Sequence, residues 1–382
     1  MLRHHPLYWL FTVLIGMIVL SACGGTAPLP TITADIKIST PSQIPPTLTV
    51  IAPTQTPIPA TVAPAQKPIP ATVAPTPQGL IVLAELTGSV GPIYSLAWAL
   101  DGLMLASAGY KEVNLWNGET YALLSTLVGH TNYVWGVAWA PDGNQLVSGS
   151  HDRTVRFWDP NSGTENNQLN TTLIYSVAWS PDGSQVAAGS SDGIITIWDA
   201  ISGNMLREMN NRMVSEIISL GWSPDGSTLA AGYLNGDIVL WGAANGVVLL
   251  TINNYTSQRS DTNGLAWSPD GTRLATAHQD GVIRLWNPVD GKLLLEPGRH
   301  SGWARGVAWS PDGQWLVTTG EDARVQIWDT ATGARQAVQK AGNLPLWSAA
   351  WSPDGTRIGV GSGNYNSSTI PGVLVTLAAP PF

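Results

Sequence analysis

The chain has 382 residues, of which 18 are Trp, 3 Phe, 40 Gly, 28 Pro and one Cys; 12% are charged and the formal net charge is −8. So little charge beside so much Gly and Trp excludes a coiled coil or helical bundle, which needs long charged, Ala/Leu-rich periodic stretches. A negative chain without Lys/Arg clusters lacks the basic footprint that nucleic acid requires, and one Cys can form neither an intramolecular disulfide nor a Cys-rich zinc site.

In chain order, residues 1–22 come first, with Arg3 ahead of an apolar run from Leu7 to Leu20. That run is shorter than the roughly 20 residues a spanning helix needs and suits the apolar core of a signal peptide. Leu20-Ser21-Ala22-Cys23-Gly24 resembles the bacterial lipobox, in which the Cys thiol is lipidated and the bond before it is cut. Cys23 is therefore the expected lipidation site, and the mature chain is expected outside the cell, anchored by lipid to the cell membrane. Residues 24–79 hold 13 of the 28 prolines and a near-repeat, Pro57–Pro64 and Pro68–Pro75. Proline fixes φ and removes donors, so 23–79 reads as a disordered, polyproline-biased stalk.

From residue 80 onward a repeat dominates. A pentapeptide Trp-(Ser/Ala)-(Pro/Leu)-Asp-Gly begins at Trp98, Trp139, Trp179, Trp222, Trp267, Trp309 and Trp351, at intervals of 41, 40, 43, 45, 42 and 42 residues. In six units a second Trp follows 18 or 19 residues later: Trp116, Trp158, Trp198, Trp241, Trp286 and Trp328. Within Asn132–Leu169, Val134, Val137 and Trp139 mark a strand that runs into Ala140-Pro141-Asp142-Gly143, a sequence suited to a type I turn ending at positive φ. Leu146–Ser150 reads as the return strand, His151–Arg153 as a turn, Thr154–Trp158 as the third strand, and a weaker fourth strand follows Gly163. Four short antiparallel strands cannot cover their own faces, so such units must stack on one another.

The units resemble the WD-repeat β-propeller family across residues 80–382. Trp158-Asp159, Trp198-Asp199 and Trp328-Asp329 carry the name motif, and Trp116-Asn117, Trp241-Gly242 and Trp286-Asn287 are drifted copies. The resemblance implies an all-β fold, a seven-bladed propeller with four antiparallel strands per blade. It also implies a buried hydrogen-bonded tetrad at His130, Ser148, Asp152 and Trp158, and another at His300, Thr318, Asp322 and Trp328. The other five units lack that His, which leaves their blades to apolar packing. Strand counting adds a closure. The last unit has a third strand expected at Val373–Leu377 and no fourth, while the apolar strand 80–86 has no unit of its own. Strand 80–86 is therefore expected to complete the last blade and close the ring.

Catalytic chemistry is not evident. Gly189–Gly193 matches a G-x-S-x-G pattern, but that motif needs a strand-to-helix elbow and here falls between two strands. His151 and His278 are expected at turns beside Asp152 and Asp280. Of the 18 Asp, seven sit in Asp-Gly turns, four in turns between second and third strands and three after the third-strand Trp. No nucleophile–base pair, phosphate loop or metal-ligand spacing appears, so neither an enzyme nor a cofactor is expected.

The resemblance places partner docking on the ring face where first strands begin. Four residues before each repeat Trp stand Tyr94, Trp135, Tyr175, Ile218, Asn263, Arg305 and Trp347; six before stand Tyr133, Glu216, Asp261 and Trp303, among others. These positions should alternate away from the core, so Trp303, Trp347, Tyr94, Trp135, Tyr133 and Tyr175 are expected to form an exposed aromatic arc, with units four and five polar or acidic. Arg305, His151, Gln279 and Glu321 would add polar contacts, and the insertion 363–372 should overhang the same face. Clustered exposed aromatics mark recognition sites. The expected function is a non-enzymatic scaffold that binds a protein or peptide partner through this face, as a monomeric, membrane-anchored propeller without nucleic acid. A glycan-binding module using the same rings is the alternative. Of the remaining Trp, Trp315 is expected at the surface.

Overall fold

The computed structural model describes residues 80–379 except 88, 90, 213–214, 254–259 and 365–371. The expected signal segment 1–22, Cys23, the stalk to 79 and most of the insertion 363–372 lie outside the described residues. Among the described residues are 27 strands and no helix. They form five four-stranded antiparallel sheets and one of seven strands. The third unit is typical: Ile174–Trp179, Gln185–Ser190, Ile195–Asp199 and Met205–Met209 pair in sequence order.

The pentapeptide works as a clamp on the first turn. Ser180 Oγ donates to Asp182 at 2.6 Å and accepts the N–H of Gln185 at 2.9 Å, while Asp182 accepts the N–H of Ser184 at 3.0 Å. Gly183 closes the turn at φ 74°, a left-handed conformation that a Cβ would strain. Ser223, Ser268, Ser310 and Ser352 repeat the arrangement with Asp225, Asp270, Asp312 and Asp354. The bond from Ser268, with those from Thr272, holds the Asp270 carboxyl down at about 2. These aspartates are structural acceptors, which accounts for much of the acidic composition.

Trp at the end of each first strand joins one unit to the one before it. Trp139 Nε1 donates to the Ala97 carbonyl at 2.9 Å, Trp267 to Gly221 at 3.0 Å and Trp309 to Ala266 at 3.0 Å. The indole N–H groups of Trp98, Trp179 and Trp351 are buried without such a bond among the described residues, yet those rings are as deeply buried. Burial of the ring, worth several times the ~1 kcal/mol of one hydrogen bond, therefore contributes more to the joint than the bond does.

The apolar core is correspondingly divided. Seven buried clusters are each shared by two units, for example Val147, Val155 and Phe157 of the second with Ile174, Val177 and Trp198 of the third. One cluster joins Leu96, Trp98 and Leu105 of the first unit to Leu86 and Leu374. Ile81–Leu86 pairs antiparallel with Leu374–Ala378, on the outer side of the sheet that contains Leu346–Trp351 and Arg357–Ser362.

Two expectations change here. The fourth strand of the first unit and the first strand of the second are one continuous strand, Leu123–Trp139, which produces the seven-stranded sheet. Its middle holds because Tyr133 pairs across to Tyr110, ring centroids 5.2 Å apart. Trp315 is not a bare surface residue: it is half-buried against the cluster that contains Val317, Trp351 and Ile358.

Candidate recognition site

The buried polar networks come first, since they hold the strands that carry the site. His130 Nδ1 meets Asp152 at 2.8 Å, His130 Nε2 meets Ser148 Oγ at 2.7 Å, and Trp158 Nε1 donates to the same hydroxyl at 2.8 Å. His300, Asp322, Thr318 and Trp328 repeat the set at 2.8, 2.9 and 2.9 Å. Burial alone would raise the Asp152 carboxyl, but bonds from His130, Thr154 and the Thr131 N–H hold it well below the ordinary carboxylate range. Burial lowers His130 below its ordinary value, so the imidazole is neutral and hydrogen-bonded on both sides.

The expectation that the remaining units lack this histidine is corrected in the fifth. His278 is the last residue of strand Leu274–His278, not a turn residue, and is fully buried. Its Nε2 meets Thr276 Oγ1 at 2.7 Å, and Trp286 Nε1 donates to that hydroxyl at 2.8 Å. The ring thus reaches the Thr–Trp pair from two residues along the strand, and Asp280 is bridged instead by Arg284 at 2.8 Å.

The first strands converge on a cavity of about 540 Å3. Trp135, Tyr175, Ile218, Asn263, Arg305 and Trp347, one from each of six units, line it together with Glu216, Asp261, Trp303 and Glu321. Simple alternation does not place them there. In all six first strands the pairing register skips that residue: Val134 and Gly136 pair with Ser150 and Gly149, for instance, and Trp135 has no opposite number. Each of these six residues sits at a β-bulge, a device that re-aims a side chain. Its sequence mark is the small residue that follows: Gly136, Ser176, Ser219, Gly264, Gly306 and Ser348. A Cβ on Gly136 would lie 2.9 Å from the Val177 nitrogen of the next unit, and one on Gly306 would lie 2.9 Å from that of Ala349. Close approach of neighbouring first strands requires the small residue, and the bulge beside it turns the large one inward.

The aromatic arc is brought together, but it is packed on itself rather than laid open. Tyr94 is only 6% exposed and does not line the cavity; its ring lies under Trp135, centroids 4.1 Å apart and 27° from parallel. The Tyr94 N–H bonds to the carbonyl of Ala108, the strand partner of Ser95, and the side chain is held by its ring contacts with Trp135, Tyr133 and Trp347. Tyr133 leans edge-on against Tyr94 at 5.9 Å, also behind the lining. His151 stands behind Trp135 and Tyr175, at 5.3 and 4.6 Å, and burial lowers it to about 4, so it supports the rings as a neutral group. Trp303, at 38%, is the most exposed member of the arc.

Polar groups complete the wall. Arg305 lies 4.4 Å from the Trp303 ring centre and 4.3 Å from that of Trp347, and donates to Glu321 at 2.5 Å. Trp347 Nε1 donates to the Gly363 carbonyl at 2.9 Å. Burial raises the Asp261 carboxyl above its ordinary value; Arg305 pulls the other way and Glu216 adds to the rise. Sequence reasoning places Glu216 and Asp261 only in a polar sector, whereas both face the same cavity as the aromatics. Gly189–Gly193 lies between strands Gln185–Ser190 and Ile195–Asp199, where Ser190 Oγ is tied to Asp192 and to the Ile194 carbonyl.

A family model described as the IFT122 first beta-propeller matches residues 92–366. No curated protein matches the chain.

Proposed function

The chain belongs to the IFT122 first beta-propeller family over residues 92–366, and from that premise we propose that it is a non-enzymatic scaffold which binds a protein or peptide through the cavity face. β-Propellers suggest interaction platforms, and the specific reading rests on one observation: six bulged side chains from six units, four of them Trp, Tyr or Arg, are aimed into one cavity. Those residue types dominate recognition hot spots. A bulge repeated for packing alone would not need large rings at its apex.

The same reading includes seven blades in a closed ring. It is supported by the cluster and strand pair that join the first and last units, and by the long strand that serves two units at once. It also includes a lipid anchor at Cys23 and a position outside the cell, both supported by the lipobox-like Leu20–Gly24 and the proline-rich spacer that follows. A peptide suits the site better than a sugar, because Trp135 is stacked on Tyr94 and Trp347 on Arg305, which leaves few free ring faces.

The test is affinity capture from envelope extract by the wild-type chain and by Trp135→Ala and Trp347→Ala variants. The scaffold reading expects specifically captured proteins to be lost with both variants while the fold, followed by circular dichroism, is retained. Capture indifferent to both substitutions would overturn it.

A further inference from the structure

Charge and ring placement say more about what the cavity takes. Four ionisable side chains line it: Glu216, Asp261 and Glu321 against one cation, Arg305. Arg305 and Glu321 satisfy each other at 2.5 Å. Neither Glu216 nor Asp261 has an ion-pair partner among the described residues. Burial, with a smaller effect from Glu216, disfavours ionisation of Asp261, and Arg305, which opposes them, is already bonded to Glu321, so the carboxyls outnumber the positive charge beside them. Trp135 and Tyr175, in ring contact with centroids 5.6 Å apart and planes at 59°, line the same cavity. Aromatic faces attract cations through the ring quadrupole, more strongly where water is excluded. The cavity already shows this chemistry internally, where Arg305 lies against Trp303 and Trp347.

Resting on the scaffold reading, we infer that this cavity is a receptor for a cationic side chain, and that the partner inserts an arginine between the contacting Trp135 and Tyr175 rings on one side and the Glu216–Asp261 pair on the other. The planar guanidinium matches both surroundings. Its face stacks on a ring while its edge donates to carboxylates, a combination that a compact ammonium cannot make. At about 540 Å3 the cavity holds one long side chain and leaves the partner's backbone at the mouth. The bulges place both halves of the receptor: Tyr175 and Trp135 sit at bulges, while Glu216 and Asp261 each lie two residues before one, at the entry to their strands.

The experiment titrates the full chain with the peptide acetyl-Gly-Gly-Arg-Gly-Gly-amide and with its citrulline counterpart, which keeps the shape and loses the charge. Binding is followed by Trp fluorescence and calorimetry. Saturable binding of the arginine peptide is expected, at least tenfold tighter than that of the citrulline peptide. A Glu216→Gln/Asp261→Asn variant is expected to lose at least tenfold for the arginine peptide and to leave the citrulline peptide unchanged. Both substitutions keep side-chain volume, and a retained near-ultraviolet circular dichroism spectrum establishes that the variant folds. Equal binding of the two peptides, or no saturable binding of the arginine peptide up to about 1 mM, overturns the inference. Capture from envelope extract that depends on Trp135 without an arginine preference sinks the cation receptor and leaves the scaffold standing. Capture that ignores Trp135 sinks the scaffold itself.

Discussion

Arg357 stands 5.0 Å from the centre of the Trp98 ring, as Arg273 stands 4.8 Å from that of Trp309. Both arginines end the same heptapeptide, Trp-Ser-Pro-Asp-Gly-Thr-Arg, and each meets the first-strand Trp of the unit that follows. For Arg357, in the last unit, that Trp belongs to the first. Other contacts repeat the correspondence. A Cβ on Gly183 or Gly313 would lie 3.6 Å from the turn proline of the preceding unit, Pro141 or Pro269, and one on Gly102 would lie 3.8 Å from Pro353. Ser95 Oγ accepts the N–H of Val137 at 3.3 Å, and Ser348 Oγ accepts that of Leu96 at 3.1 Å. The last unit meets the first much as any unit meets its successor, which supports the closed ring proposed above.

In the proposed closed ring Arg357 and Arg273 are equivalent. Arg357→Ala and Arg273→Ala are each expected to destabilise the chain by about 1–3 kcal/mol, through a lost cation–π contact and lost bonds to backbone carbonyls. Urea unfolding measures both. A cost for Arg273→Ala with none for Arg357→Ala would mean that the ends are not joined. Deleting residues 80–86 should likewise lower the unfolding temperature, since it strips the outer strand and Leu86 from the last sheet.

The Ser148 hydroxyl serves two buried partners, so its loss should cost more than one hydrogen bond. Ser148→Ala leaves His130 Nε2 and Trp158 Nε1 without their acceptor or donor. About 2–4 kcal/mol of destabilisation is expected, read from chemical denaturation. A cost below about 0.5 kcal/mol would show that the network contributes little beyond apolar packing.

Acid should weaken the fold before most carboxylates titrate. Burial, reinforced by Arg284, lowers His278 to about 3, and burial lowers His130 as well. A histidine with a depressed folded pKa binds its proton preferentially in the unfolded chain. Its stabilising contribution is therefore complete above the unfolded value of 6.5 and declines as pH falls from there toward the folded value. For His278 the slope is about 1.4 kcal/mol per pH unit below 6.5. His278→Gln should flatten unfolding free energy against pH between 7 and 5 by close to one proton. An unchanged slope would place the titration elsewhere.

Trp135 has a packing role as well as a proposed binding role. Its ring stacks on Tyr94 and contacts His151, Tyr175 and Trp347. Trp135→Ala should cost about 2–4 kcal/mol, whereas Trp303→Ala, removing a more exposed ring, should cost under about 1 kcal/mol. Thermal unfolding of the two variants separates them.

The repeat, its turns and both tetrads are legible in the residues because each depends on chemistry within about 40 positions: a Pro-Asp-Gly turn, a Ser that clamps it, a Trp ten residues beyond a hydroxyl. The cavity is legible only in part. Positions four before each repeat Trp are identifiable, but the bulge that aims them arises from pairing register, which belongs to two strands at once. Tyr94 illustrates the difference: it has the same sequence spacing as Trp135 but is buried in ring contact with it and ends beneath the lining instead of in it. His278 escapes the motif for a related reason, since a histidine two residues after its Thr bears no resemblance to one arriving from the preceding loop.

The central claim is that recognition happens in the cavity and not at the opposite end of the strands. Ile218 lines the cavity; Ile201 lies beside the Asp-Gly turns and is 93% exposed. Ile218→Arg would fill the cavity with a tethered guanidinium, while Ile201→Arg adds the same charge at the far end. Affinity capture from envelope extract by the wild-type chain and these two variants is the most direct measurement. The account predicts that Ile218→Arg loses the captured partner and Ile201→Arg keeps it. Equal capture by all three chains would contradict it.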